Sequence, residues 1–193
     1  MLAHWSEYTK ILLPGLRRVL GSVSFALVLV AAAGPLAQPA RLAAPNVVEI
    51  SPRLVTSGQP SAEALAGLKA QGFEAVIYLA PPTVHDAVRD EQVIVTRQGL
   101  VFINIPIRFD NPTDSDFEQF ASALGGLGKR KVLVHCQINL RASVMVFLYR
   151  AIVLEEEPRM AYESVTGVWS PDGPWRRLIK DQLAKNKVAF EPF

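Results

Sequence analysis

Hydrophobic positions along the chain fall into short blocks of two kinds. Residues 46–50 (NVVEI), 74–80 (EAVIYLA), 100–107 (LVFINIPI) and 131–135 (KVLVH) are brief runs rich in β-branched and aliphatic residues. The runs at 74–80 and 131–135 are nearly all apolar, and Gly72 and Pro81 bound the first of them. Such runs predict strands buried on both faces. Between the runs the apolar spacing becomes helical. The turn SGQPS at 57–61 leads into a helix over 62–71, where Ser61 is placed to cap and Ala64, Leu65 and Leu68 share one face before Gly72 stops it. A second helix is expected over about 84–98. A third spans 114–127, with Thr113 as its cap and Asp114 and Asp116 favoured by the dipole of its first turn. Residues 142–154 (ASVMVFLYRAIVL) are apolar almost all the way round, which predicts a helix in the centre of the domain. Pro158 opens another helix, and an amphipathic one covers about 173–186.

Strands alternating with helices predict an α/β domain: a mainly parallel central sheet with helices on both faces, three layers in all. Ligands of such sheets sit beyond the carboxyl ends of the strands. His135 and Cys136 stand at one of those ends, between a buried strand and the most buried helix.

The chain before residue 45 has a different character. Lys10, Arg17 and Arg18 precede fifteen uncharged residues, 19–33, followed by Gly34-Pro35 and a linker rich in Pro and Ala. A basic flank, a short apolar core and small residues at 31–33 predict a secretory signal peptide. Counting on to Ala37 gives nineteen uncharged residues, enough for an uncleaved membrane anchor over 19–37. Residues 1–44 are therefore expected to be a signal or anchor plus linker, and 45–193 the functional domain. That domain would be exported to the periplasmic or extracytoplasmic side, or held at the inner membrane. The same segment explains the net charge of +2: residues 1–44 carry +3 of it, leaving the domain close to neutral. A near-neutral domain argues against a nucleic-acid partner, which would call for clustered Lys and Arg.

Cys136 is the single cysteine, so the chain holds no internal disulfide. A lone cysteine is more often a buried, inert residue than a reactive one. Its setting, VLVHCQINLRAS over 132–143, changes that. Beyond a strand end, the amides of Gln137, Ile138, Asn139 and Leu140 can turn toward one centre, and the next helix aims its positive end at the same point. Arg141 adds a planar fork that matches an oxyanion. Such a nest also stabilises a thiolate. His135 either orders the loop by hydrogen bonding or is a satisfied core histidine. His4 and His85 have no metal-ligand spacing with carboxylates or with Cys136, so no metal site is expected. Trp169 and Trp175 are expected to pack the last helix onto the body.

With those residues in view, the sequence resembles the cysteine-dependent protein tyrosine and dual-specificity phosphatases. Their signature is His-Cys, five residues, Arg, then Ser or Thr, on a strand–loop–helix. The segment INIPIRFDNPTDSDFEQF (103–120) is similar to the dual-specificity loop that carries the general acid, which would make Asp110 the acid and Asp114 the fallback. SGQPSAEALAGLKAQGFEAVIYL (57–79) is similar to the opening of a bacterial branch whose cysteine loop is one residue shorter. The resemblance implies Cys136 as nucleophile, with His135, Gln137, Ile138, Asn139, Leu140 and Ser143 around the bound phosphate. It also implies hydrolysis of a phosphoprotein or a small phosphate monoester without cofactor or metal. This chain departs from the signature in three ways. Four residues, not five, separate Cys136 from Arg141. Asn139 stands where the loop glycine belongs, although Asn tolerates positive φ best among the other residues. Ala142 follows Arg141, and the hydroxyl is displaced to Ser143. The short loop equally matches rhodanese-like sulfurtransferases in size, and a third reading is an anion-binding module that does no chemistry.

Overall fold

The computed structural model describes residues 42–193. The expected signal or anchor, and most of the linker after it, fall outside the described residues. Among the described residues no helix is long and apolar enough to cross a membrane.

Strands β1 (Val48–Ser51), β2 (Leu54–Ser57), β3 (Ala75–Tyr78), β4 (Val101–Asn104) and β5 (Val132–His135) form one sheet in the order β1-β2-β5-β3-β4. β2, β5, β3 and β4 run parallel, and β1 is an antiparallel edge strand. β5 is thus central, and its register aligns Ser57, His135 and Tyr78 in one row at the carboxyl edge. The period-2 alternation of each strand divides the core. Val55, Val76 and Leu133 face one way, toward α1 (Ala62–Ala66) and α2 (Glu91–Thr96), with Leu65, Leu68 and Val95. Ala75, Ile77, Val132 and Val134 face the other way, toward α3 (Asp114–Gly126), α4 (Leu140–Leu148), α5 (Pro158–Thr166) and α6 (Gly173–Lys185). Two apolar layers around one sheet are the three-layer α/β domain that the sequence predicts.

Local chemistry accounts for most boundaries. Ser61 caps α1 through the Ala64 amide, and Gly72, at φ 80°, ends the 3-10 turn that follows. Thr113 and Asp116 form a reciprocal capping box on α3. Pro158 begins α5. α4 is buried along its length and runs on into a single π-turn over Tyr149–Val153. Two expectations need correction. The turn read at residue 57 follows a strand, β2, which the sequence conceals because Pro52 and Arg53 break it from β1 and only Leu54 and Val55 are apolar. The helix expected over 84–98 shrinks to Glu91–Thr96. Pro81 and Pro82 and a left-handed Asp90, at φ 59°, keep residues 79–90 as a loop across the carboxyl edge of the sheet.

Candidate active site

The β5 ladder continues one residue past the strand, since the Cys136 amide donates to the Ser57 carbonyl at 3.2 Å. The chain then turns, and the SGQP segment after β2 holds the outside of the turn. The Gln59 amide donates to the Gln137 carbonyl at 2.9 Å, and Gly58 forms an isolated bridge with Ile138. Asn46 Nδ2 donates to the Ile138 carbonyl at 2.9 Å. A trans peptide holds its N–H opposite its C=O, so the Ile138 amide points away from the SGQP segment. Asn139 takes φ 72°, the left-handed turn expected of it, directly before α4. Its Nδ2 donates to the Asn46 carbonyl at 2.6 Å and to Thr56 Oγ1 at 3.0 Å. A glycine would supply the φ but neither bond.

Cys136 is buried, yet it lines a cavity of about 290 Å³ together with Gln137, Ile138, Leu140, Arg141, Phe109, His85 and Asp86. The nucleophile candidate and the arginine therefore share one small chamber at the N-terminus of the central helix. Arg141 is fixed from two sides. Its Nε donates to the Ile107 carbonyl at 3.0 Å, and one terminal nitrogen donates to Gln137 Oε1 at 3.3 Å. Its guanidinium lies over the Phe109 ring, 5.2 Å from the centroid. Phe109 packs against Trp169 at 6.0 Å and Trp175 at 5.8 Å, and Trp175 Nε1 donates to the Phe109 carbonyl at 2.8 Å. The two tryptophans thus brace the strand-to-helix loop that orients Arg141, and Trp175, in α6, thereby packs the last helix onto the body as expected.

Behind the loop, His135 does not face the cavity. Its Nε2 lies 2.6 Å from Glu91 Oε1, and Gln59 Nε2 donates to Glu91 Oε2 at 2.8 Å. Tyr78 stacks on the imidazole with centroids 4.7 Å apart. His135 is thus a fully buried core histidine bound through Nε2, and Glu91 links it to the Gln59 whose amide grips Gln137. Burial pushes the Tyr78 phenol well above its ordinary pKa, and the negative charges of Glu91 and Asp86 add to this while Arg141 opposes it.

Other candidates lie outside the chamber. Ser143 Oγ donates to the Leu140 carbonyl at 3.0 Å and accepts from Trp169 Nε1 at 3.3 Å. Asp110 does not line the cavity. Both its oxygens sit in the Arg108 fork, at 3.1 and 2.7 Å, and its side chain is 70% exposed. Hydrogen bonding from Arg108 holds the Asp110 carboxyl below its usual pKa. Asp114 pairs with Gln182 and Lys185 on α6. Sequence reasoning missed Asp86, Phe109, Glu91 and Gln59. Asp86 carried a usable signal, since the Pro81-Pro82 pair after a buried parallel strand marks a loop at the ligand-binding edge. Glu91 carried none, because an acid inside the helix expected over 84–98 reads as solvated. A larger cavity of about 670 Å³ opens beside Val47, Val55 and Phe73, and no cysteine, histidine or arginine lines it.

The family model described as DSP-PTPase phosphatase fused to NAD+ kinase matches residues 45–170. The chain belongs to that phosphatase family. Its fold is accordingly that of the cysteine-dependent tyrosine and dual-specificity phosphatases, as the resemblance implied. A DUF442 phosphatase-family protein of Shewanella putrefaciens CN-32 superposes with a TM-score of 0.68 at 31% identity, over 74% of this chain and 92% of that one. Tk-PTP in its active form, at 20% identity and TM-score 0.61 over 73% and 98% of the two chains, shares the fold. Two beta-lactamase hydrolase-like proteins from Xylella fastidiosa strains are 30% identical over 113 residues, covering 55% of this chain and 25% of theirs. The chain thus spans about a quarter of the length of the curated relatives it matches.

Proposed function

We propose that this domain hydrolyses a phosphate monoester through a phosphocysteine intermediate. The observation that carries the reading is the shared chamber: Cys136 and Arg141 line one cavity at the N-terminus of α4, with Arg141 fixed by Ile107 and Gln137. In the first step the Cys136 thiolate attacks phosphorus and forms the S–P bond. The ester P–O bond breaks, and the leaving oxygen takes a proton from a carboxylic acid. Arg141, the loop amides and the positive end of α4 hold the equatorial oxygens as charge moves among them. In the second step water attacks phosphorus, gives its proton to the same carboxylate, and releases phosphate and the thiolate.

The walls define the substrate's body. Phe109 and Ile138 are 39% and 49% exposed, large values for apolar side chains, and both line the mouth with Leu140. An ester with an aromatic or otherwise apolar group next to the phosphate, in a phosphoprotein or a small molecule, fits such walls. The purified chain should hydrolyse an aryl phosphate, and Cys136→Ser should abolish turnover. Undiminished turnover in that variant would rule out the thiolate mechanism. Consumption of thiosulfate with a persulfide mass on Cys136 would instead assign the short loop to sulfur transfer.

A further inference from the structure

We infer that Asp86, on the loop between β3 and α2, is the general acid that protonates the leaving oxygen. The inference rests on the phosphocysteine reading and assigns the proton donor within it. The proton must reach the ester oxygen inside the chamber, on the side of phosphorus away from the sulfur. Asp86 is the carboxylate that lines that chamber with Cys136 and Arg141. Asp110 lies outside it, exposed, with both oxygens spent on Arg108. A donor must arrive protonated, and the Arg108 fork favours the ionised form of Asp110.

Asp86 is also aimed. Arg141 donates to Gln137 Oε1 at 3.3 Å, and arginine can only donate, so the amide orientation of Gln137 is decided. The opposite end of that amide, Nε2, donates to Asp86 Oδ1 at 2.8 Å. The relay Arg141–Gln137–Asp86 therefore couples the group that binds phosphate to the group that delivers the proton. Oδ1 accepts from Gln137, and Oδ2 is left to carry the proton. The Asp86 side chain is 32% exposed, which leaves water a route to the same carboxylate for the second step. There the balance closes: Asp86 gives its proton as the P–O bond breaks and regains one from the water that attacks the phosphocysteine. Gln137 acts through Asp86 and Arg141 and is a positioning residue.

The experiment compares two esters on the full chain. Phosphotyrosine has a basic phenolate that leaves poorly without a proton, whereas dinitrophenyl phosphate releases an anion that needs none. Asp86→Asn should lose roughly 10²–10⁴-fold in kcat/KM on phosphotyrosine, the usual worth of a general acid, and far less in kcat/KM on dinitrophenyl phosphate, because kcat/KM reports formation of the phosphocysteine and not the hydrolysis that both esters share. Asp110→Asn should show the weaker leaving-group dependence of the two. Equal losses on both esters in Asp86→Asn would reduce Asp86 to a brace for Gln137 and overturn the inference. So would no loss on either ester, or a stronger leaving-group dependence in Asp110→Asn. Cys136→Ser is measured alongside. Turnover retained there, or no turnover by the parent chain on either ester, fails the phosphocysteine reading itself and the inference with it.

Discussion

Gly58→Ala tests whether the SGQP segment shapes the cysteine loop. A β-carbon at Gly58 would lie 2.7 Å from the Gln137 carbonyl oxygen, 2.9 Å from Pro45 Cβ and 3.0 Å from Ile138 Cα. Ordinary carbon contacts lie at about 3.5–4.0 Å, so something must move by about 0.5–1 Å. No flexible side chain can yield, because two of the three atoms belong to the loop backbone. The Gly58 amide is itself pinned to the Pro45 carbonyl at 2.7 Å. Overpacking of this kind costs about 1–3 kcal/mol. At about 2–4 °C per kcal/mol for a domain of this size, the melting temperature should fall by roughly 2–12 °C. The displaced atoms carry the turn between Cys136 and Arg141, and a misplacement of about 1 Å can cost on the order of 10² in rate. Aryl phosphate turnover should therefore fall more than stability alone explains when both are measured well below the melting temperature. Gly67→Ala is the internal control, since its β-carbon meets nothing nearer than 3.6 Å. If Gly58→Ala melts and turns over like Gly67→Ala, the packing of SGQP against the loop is not what fixes the active-site turn.

The buried carboxylate and the left-handed loop residue give two further tests. Glu91→Ala leaves the buried His135 Nε2 without its partner and Gln59 Nε2 with only the Pro60 carbonyl at 3.5 Å. Urea denaturation should show a loss of about 1–3 kcal/mol for the orphaned imidazole, and stability equal to the parent would mean that the His135–Glu91 pair is not formed. At residue 139, stability should fall in the order Asn, Gly, Ala. Glycine keeps φ but loses the bonds to Asn46 and Thr56, and alanine adds the left-handed penalty of about 1–2 kcal/mol. Alanine as stable as glycine would show that the turn has opened.

The legible parts of this protein are those whose causes are local. Continuous apolar runs at β3 and β5 fix strands buried on both faces, and an all-round apolar stretch fixes α4 as the central helix. Capping chemistry at Ser61, Thr113 and Pro158 places three helix starts. Cys136 and Arg141 are legible as a pair because strand, loop and helix are adjacent in sequence. The rest depends on contacts between distant segments. β2 forms where β5 offers its edge, although Leu54–Ser57 alone shows little strand pattern. Asp86 and Gln137 are 51 residues apart, and Glu91 and His135 are 44 apart. No periodicity reports such pairs. Asp110 stood out because its local frame resembles the family's acid loop, and in the structure both its oxygens accept from Arg108.

The shortened loop can be understood in the same terms. Removing a residue from a ring of amides normally demands a tighter turn, and the turn must be held from outside. Here the holding comes from residues remote in sequence. Gln59 and Asn46 bind the loop carbonyls, and Asn139 spends its side-chain amide on Asn46 and Thr56 while taking the left-handed φ itself. Gly58 lets these two backbones approach to a distance that no side chain would permit. The SGQP opening and the short cysteine loop are therefore one structural unit. A fifth residue between Cys136 and Arg141 would push Gln137 and Ile138 into Gly58 or break the bond from Gln59, so inserting glycine after Asn139 should not restore the longer signature. It should release the loop from β2 and with it the Arg141–Gln137–Asp86 relay.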